Sequence, residues 1–437
     1  MPNFKIFNSD KNPLVTANYA QKMGTSSELS PLSVDLAGNL NIRTQDSQFN
    51  RLITSPRSPL IELKSTYGIS SLRDSIIKND TANISNDGTE FNLSTGTGST
   101  GKAILDSAER GRYIPGATCQ AGIGVRTPLN QSLLDNQEIK WGYFDDNNGF
   151  LFGQDTTGTF IAIKRSGTIV NKVYQENWNG DKLDGTGPSK FTLDLTNGNI
   201  YQITYTWYGY GTVEFQIVMG EENKNNVQTL ITVHRFRPTE ETSVSDPNLP
   251  IRAEVSNNGT ENNDISLLVG GRQYSIFSNY NPNIRITSEY RTLESVSNTT
   301  FVPTVTFKRK NEFPSSSGRT NSVSVKLESI DILSENDALW EIRFNPTISG
   351  GTTTFEDISN IVPSETAVEV NTKATSVTGG LKVISGITGG GFSKSQSLSQ
   401  INNLNLDFNG SQPVSLVVRN LSTSGNITVV FRVREEW

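Results

Sequence analysis

Short apolar runs recur about every ten residues between positions 102 and 280, and Gly, Asn, Asp or Pro bounds each of them. Runs of this length and spacing are typical of β-strands joined by tight turns. In residues 200–207 apolar and polar side chains alternate, as in a strand with one buried face. This pattern predicts an antiparallel β-sandwich or jelly roll. The other runs are residues 120–125, 139–144, 150–153, 159–164, 212–219, 229–236 and 265–269.

The composition also favours β-structure. Apolar residues make up 34% and charged residues 19% of the 437 positions, so small uncharged polar residues and glycine fill much of the remainder. Asn, Ser, Thr and Gly favour turns and helix caps over helix interiors. Together with the periodicity, this composition predicts an all-β chain with long polar loops.

The predicted strands divide the chain into three parts. We expect residues 1–101 to form an extended N-terminal arm and polar linker. Residues 102–280 are predicted to form a lectin-like β-sandwich, in whose core Trp141 and Trp207 would lie. Residues 281–437 repeat the pattern of short apolar runs and predict a second, C-terminal β-sandwich.

Some segments of the outer parts have local predictions of their own. Two short helices are predicted in the arm, at residues 13–23 and 72–78. Residues 79–101 are low in complexity, which favours a polar linker. Residues 429–437 alternate apolar and charged side chains, as in an edge strand whose charges face water.

The charge balance and hydropathy argue against two classes of partner. The chain has 38 Lys and Arg against 44 Asp and Glu, a net charge of −6, whereas nucleic-acid binders carry a basic excess. No run approaches the ~18 consecutive apolar residues of a membrane-spanning helix. The N-terminus lacks the features of a signal peptide, so we expect cytoplasmic synthesis without ordinary secretion. Neither nucleic acid nor membrane is expected as a partner.

The sequence selects no catalytic, metal or cofactor site. The chain has one histidine, His234, and one cysteine, Cys119. A catalytic Cys–His pair could therefore form only between these two residues, and a zinc site built from several Cys or His ligands is excluded. His234 lies in a predicted strand without a Ser or Cys motif beside it, which favours a structural role. We therefore predict a non-enzymatic protein with no catalytic residue, no metal and no cofactor.

Two segments come close to known ligand-binding motifs. Residues 96–103 have the spacing of a phosphate-binding P-loop, but Ala103 stands where a Ser or Thr would hold magnesium. Residues 145–148 (DDNN) offer oxygen ligands for calcium, although the spacing does not fit a twelve-residue calcium loop. A linker and a surface turn are the favoured interpretations of these two segments.

A succession of motifs occurs between residues 88 and 280. The motifs are 112–116 (RYIPG), 141–143 (WGY), 148–153 (NGFLFG), 177–187 (NWNGDKLDGTG), 191–194 (FTLD), 200–209 (IYQITYTWYG) and 246–252 (DPNLPIR). Their order, together with the ending 429–437 (VVFRVREEW), resembles virion structural proteins of tailed bacteriophages. The resemblance implies a capsid, tail or fibre component, located in the virion.

On this resemblance we expect a non-enzymatic structural component of a phage particle. A position at the tail, baseplate or fibre is favoured, and a capsid decoration or vertex protein is the alternative. The expected partners are other copies of the chain, as a symmetric homo-oligomer, and neighbouring virion proteins. An extended arm suits such assembly, because the partner surface offsets the entropy that its ordering costs.

Two further functions remain open. A carbohydrate-binding adhesin for host attachment would recognise a host surface glycan, and exposed Tyr208 or Tyr210 would stack on a sugar ring. Asp181 and Asp184 are further candidate ligand contacts, although Asp side chains in such loops more often accept backbone N–H groups. A polysaccharide-degrading enzyme is the weakest option, because no pattern selects a carboxylate pair.

Overall fold

The computed structural model describes residues 56–221, 227–391, 407–408 and 410–437, together with the short strands at 19–21, 29–31 and 396–397. The chain forms two compact units. The first, Met1–Thr54 with Gly220–Thr229, includes the antiparallel strands β1 (Tyr19–Gln21) and β2 (Leu29–Pro31). The helix predicted at residues 13–23 falls largely outside the described residues, and Tyr19–Gln21 within it is a strand.

The second unit, Ser55–Met219 with Leu230–Trp437, contains two β-sandwiches. The strands of the first sandwich are β3 (Arg57–Leu63), β4 (Asp74–Asn79), β5 (Asn83–Asn86), β6 (Phe91–Ser94), β7 (Lys102–Ser107), β8 (Thr118–Arg126), β9 (Glu138–Phe144), β10 (Gly149–Gln154), β11 (Thr159–Arg165), β12 (Thr168–Tyr174), β13 (Asn199–Tyr205), β14 (Val213–Glu221), β15 (Val227–Phe236), β16 (Ile251–Ser256) and β17 (Ser266–Phe277). One sheet has the order β12-β11-β10-β9-β16-β7-β4. The other has the order β15-β14-β13-β8-β17-β6-β5, with β3 also paired to β17.

The strands of the second sandwich are β18 (Ile284–Val296), β19 (Val302–Arg309), β20 (Ser324–Ser334), β21 (Ala338–Phe344), β22 (Thr347–Gly351), β23 (Val368–Asn371), β24 (Ala374–Thr378), β25 (Leu381–Thr388), β26 (Gln396–Ser397), β27 (Val414–Asn420) and β28 (Gly425–Glu436). Its two sheets have the orders β18-β28-β20-β26 and β23-β19-β27-β21-β25, and β22 pairs with β24. The predicted all-β fold of antiparallel sandwiches is therefore confirmed.

Helical structure in the described part of the chain is short. It includes the 3₁₀ turns Ser65–Tyr67, Gln175–Asn177 and Pro363–Glu365. None of the helices among the described residues has the length and hydropathy needed to cross a bilayer.

Stacked aromatic rings fill the core of the first sandwich. Trp141, Phe150 and Phe152 are fully buried, and Phe150 and Phe152, two positions apart on β10, point to the same inner face. The Trp141 ring meets that of Tyr201 edge-on at 5.0 Å, between the two sheets. Trp207, which was also predicted to be buried, is only partly so, because it lies beyond the end of β13.

The first sandwich begins earlier than the sequence predicts. The supposed linker, residues 79–101, contributes β5 and β6, and the supposed helix at residues 72–78 is largely β4. Ile84, Phe91 and Leu93 are buried and alternate with polar residues, as in strands with one face toward solvent. The low complexity of the segment obscures this alternation.

The strand at the C-terminal end of the sequence is central, and the prediction of an edge strand was wrong. β28 pairs with β18 on one side and with β20 on the other. Glu435 is fully buried, and its carboxylate accepts hydrogen bonds from Thr366 Oγ1 at 2.8 Å and from the Ala367 N–H at 2.6 Å. These donors satisfy a charge that would otherwise be costly to bury.

Polar contacts join the two sandwiches within this unit. Arg112 pairs with Asp407, with 3.4 Å between Nη2 and Oδ2, and also donates to the Ser322 carbonyl. The Tyr280 hydroxyl donates to Glu436 Oε2 at 2.7 Å. We call this group of contacts the sandwich junction. Arg112 and Asp407 are both buried, so the junction is shielded from solvent.

Glu109 at the sandwich junction makes stability depend on pH. Burial raises the pKa of Glu109 to about 7, Asp407 and Glu436 add to the rise, and Lys326 and Arg112 oppose it. The folded state therefore holds the proton more tightly than the unfolded chain does. The resulting stabilisation is complete below the ordinary pKa of 4.5 and is lost as the pH rises through about 7.

The variant Glu109→Gln is therefore expected to gain stability only at high pH. We expect its free energy of unfolding to exceed that of the wild type by about 2–3 kcal/mol at pH 8, and by under about 1 kcal/mol at pH 5. Urea unfolding at both pH values measures this difference. The exposed Glu356→Gln serves as the control, and an equal effect of Glu109→Gln at both pH values would contradict the prediction.

Candidate functional site

The predicted tyrosine contacts lie on the turn between β13 and β14. Tyr208 and Tyr210 are 55% and 57% exposed. The Tyr113 hydroxyl accepts a hydrogen bond from the Tyr208 N–H at 3.0 Å, and the Tyr113 ring meets the Trp207 ring edge-on at 5.4 Å. The turn is thus held by the RYIPG motif and presents two aromatic rings to solvent.

The two predicted aspartates hold their own loop together. Asp181 is buried, and its carboxylate accepts the N–H groups of Leu183 at 2.9 Å and Ser189 at 2.7 Å. Burial alone would raise the pKa of Asp181, but these hydrogen bonds bring it below its usual value. Asp184 accepts both the N–H, at 2.8 Å, and the hydroxyl of Thr186, and these bonds lower its pKa.

The structure does not bring the four predicted residues into one site. Asp181 and Asp184 accept hydrogen bonds from their own loop, whereas the N–H and ring of Tyr208 contact Tyr113. Asp184 lines a separate open groove of about 510 Å³, beside Tyr174 and Glu176. The aspartates therefore stabilise their own loop, and the two exposed tyrosines remain as candidate ligand contacts.

Intramolecular ion pairs and hydrogen bonds engage both segments that resemble ligand-binding motifs. Asp145 pairs with Arg110 at 2.8 Å, and Asp146 pairs with Arg252 at 2.7 Å, so arginines occupy both carboxylates of the DDNN turn. Among the described residues, no group of three His, Cys, Asp or Glu is placed to hold a metal ion. Asn257 Nδ2 donates to carbonyls within residues 96–103, which makes that P-loop-like segment a closed turn.

The two residues with the most reactive side chains are buried in strands. His234 Nδ1 accepts the Asn179 N–H at 3.2 Å, and burial lowers the pKa of His234. Cys119 is fully buried, and burial raises the pKa of its thiol to about 11. A neutral, inaccessible thiol is a poor nucleophile. His234 thus has the structural role that the sequence predicts, and Cys119 packs as a core residue.

A groove that sequence reasoning missed opens on the outer face of the eight-stranded sheet. β17 bulges there: Val269 lies opposite Val125 and Arg272 opposite Ile123, so that two residues of β17 face Gly124 alone. On its other side, β17 pairs with β6 as far as Val269 and with β3 from Arg272 onward. The gap leaves an open groove of about 340 Å³, which we call the bulge groove.

The bulge groove combines amide groups with a largely bare floor. Gln202 and Gln273 line it, and Ile200, which is 40% exposed, provides an apolar edge. Gln273 Oε1 accepts the Ser275 hydroxyl at 2.8 Å, whereas its buried Nε2 has no hydrogen-bond partner among the described residues. The residues at the rim are Arg57, Glu62 and Lys64.

The amides of the bulge groove continue as a row across the sheet. Gln120 Nε2 donates to Gln202 Oε1 at 3.2 Å, and Thr204 Oγ1 donates to Gln216 Oε1 at 2.9 Å. Amides both donate and accept, so such a surface suits neutral, hydroxyl-rich ligands. The glycine pairs in GIGV and VGGR were the sequence signal, but only the register of β8 and β17 brings them together.

Comparisons with known proteins concern the sandwich fold. No family model matches the sequence, and no curated protein matches it. An endo-1,3-β-glucanase from Streptomyces sioyaensis has a TM-score of 0.36 at 8% identity, over 51% of this chain and 97% of that chain. Arcelin-5, a lectin-like defence protein from Phaseolus vulgaris, has a TM-score of 0.31 at 13% identity, over 51% and 97%.

A third similar structure is the carbohydrate recognition domain of Emp46p in its metal-free form. It has a TM-score of 0.30 at 10% identity and covers 49% of this chain and 98% of that domain. At these identities and TM-scores the similarity is limited to the fold class.

Proposed function

We propose that this chain is a non-enzymatic structural component of a tailed-bacteriophage particle. A place at the tail, baseplate or fibre is favoured, and capsid decoration or a vertex is the alternative position. One observation carries the proposal. Two of the segments whose order resembles phage virion proteins, RYIPG through Arg112 and VVFRVREEW through Glu436, supply buried contacts at the sandwich junction.

Arg112 of the RYIPG motif is the clearest case. Its carbonyl accepts the Tyr274 hydroxyl at 2.8 Å inside the first core, while its guanidinium reaches Asp407 in the second sandwich. Tyr143 of the WGY motif donates to the Pro247 carbonyl of the DPNLPIR motif at 2.7 Å. A two-sandwich block joined by buried polar contacts is what a building unit of a particle requires.

Self-association is the first measurable consequence of this proposal. We expect a stable trimer or hexamer in solution, because repeated virion parts form closed symmetric assemblies. Light scattering after size exclusion gives the mass of the purified full chain. A monomer at micromolar concentration would contradict symmetric self-assembly.

A carbohydrate-binding adhesin is the second candidate function. It is favoured by two surfaces of the first sandwich, the exposed Tyr208–Tyr210 turn and the amide-lined bulge groove. The two candidates are compatible, because a particle component at a tail tip can also bind a host surface glycan. Binding of the wild-type chain to a glycan array tests this second function on its own.

A further inference from the structure

We propose that the bulge groove is a binding site for a short neutral oligosaccharide. This inference rests on the carbohydrate-binding candidate above and names its site, on the sheet face and away from the tyrosine turn. The groove is defined by Gly122, Gly124 and Gly271 on its floor and by Gln202 and Gln273 at its sides.

The glycines at the bulge are not required by the fold. The backbones of Gly124, Gly270 and Gly271 lie outside the left-handed region, and a Cβ at each would meet no atom closer than 3.7 Å. Glycine weakens a strand interior and often marks a close approach by a ligand or another backbone. The fold could accommodate a Cβ at each of these three glycines. Their lack of side chains therefore points to a groove floor that leaves room for a ligand.

Gly122 differs from these three and shows how the groove is built. A Cβ at this position would lie 2.9 Å from Gln273 Nε2, so this glycine gives the Gln273 amide its place. That amide nitrogen is buried without a hydrogen-bond partner among the described residues. A ligand oxygen would satisfy it once the Gln273 amide turns toward the groove, since a buried donor left unpaired is costly.

The chemistry of the walls selects the ligand class. A sugar ring has C–H faces and a rim of hydroxyls that both donate and accept. The bare floor and the exposed Ile200 suit the C–H faces, and the amides of Gln202 and Gln273 suit the hydroxyls. The volume of about 340 Å³ lies at the small end of ligand pockets, which fits a short oligosaccharide.

The test compares glycan-array binding of the full chain with that of matched variants. Gly124→Val fills the groove with a side chain that strands favour, so we expect an unchanged melting temperature and roughly tenfold or more weaker binding of neutral glycans. Gln273→Ala is expected to weaken binding in the same way. Gly389→Val, at an exposed and uncrowded glycine of the second sandwich, should bind like the wild type, and Tyr210→Ala tests the tyrosine turn separately.

The outcomes separate the site from the function. Wild-type binding that survives Gly124→Val but is lost in Tyr210→Ala would overturn the groove and leave the adhesin function standing at the tyrosine turn. Binding restricted to acidic glycans would overturn the neutral ligand class. No binding of the wild-type chain to any glycan would overturn the adhesin function and the groove site together.

Discussion

Replacing Asp74 by alanine is expected to destabilise the first sandwich by about 3–5 kcal/mol, because it leaves a buried guanidinium without its counter-ion. Asp74 and Arg272 form an ion pair between the two sheets, with side chains 3% and 1% exposed. Arg272 Nε and Nη1 have no hydrogen-bond partner among the described residues, and burial lowers the pKa of Arg272. The Asp74 carboxylate is therefore the group that makes the buried cation tolerable.

Urea unfolding of the Asp74→Ala variant measures this loss. The matched control is Glu356→Ala, which breaks an exposed pair with Lys373 whose side chains are both 52% exposed, and which should cost at most about 1 kcal/mol. The double replacement Asp74→Leu with Arg272→Met should recover much of the loss, because apolar groups of similar size tolerate burial. If Asp74→Ala and Glu356→Ala cost the same, the importance assigned to this pair is wrong.

Replacing Arg112 by alanine is expected to uncouple the two sandwiches. The change removes the pair with Asp407 and the hydrogen bond to the Ser322 carbonyl, both buried at the sandwich junction. Breaking a buried pair by removing one partner costs about 3–5 kcal/mol. We therefore expect a single calorimetric unfolding transition in the wild type and two in Arg112→Ala, because each sandwich retains its own core.

The control for Arg112→Ala is Arg285→Ala. Arg285 forms a more exposed pair with Glu365 in the second sandwich, at 3.2 Å, so its loss should leave the unfolding profile of the wild type. Two transitions already present in the wild type would contradict coupling of the two sandwiches through Arg112, and so would a single unshifted transition in Arg112→Ala.

The sequence predicts the positions of strands better than it predicts which strands and side chains pair. Alternation in residues 200–207 is a local signal, and β13 spans Asn199–Tyr205 accordingly. By contrast, the pairing of Asp74 with Arg272 joins residues 198 positions apart, and no local pattern encodes it. The strands β5 and β6 were missed because turn-forming residues dominate their segment, although their inward residues are apolar.

The candidate site likewise has features that local sequence predicts and features that depend on long-range pairing. The exposure of Tyr208 and Tyr210 follows from their place on either side of Gly209, just after the predicted strand at residues 200–207, which is a local signal. Asp181 and Asp184 were ambiguous, since a loop carboxylate serves equally as ligand contact or turn cap, and only the hydrogen bonds decide. The bulge groove depends on the register of β8 against β17, so its glycines had no evident meaning before the pairing was known.

Immunogold electron microscopy of tailed particles, purified from cells that express this sequence, tests the central claim most directly. An antibody against the first sandwich should label every intact particle. The account predicts gold at the tail, baseplate or fibre, and gold on the head would place the chain at its alternative position, as capsid decoration or a vertex. Unlabelled particles, in a preparation where the same antibody detects the free chain in the lysate, would contradict the proposal that this chain is built into the virion.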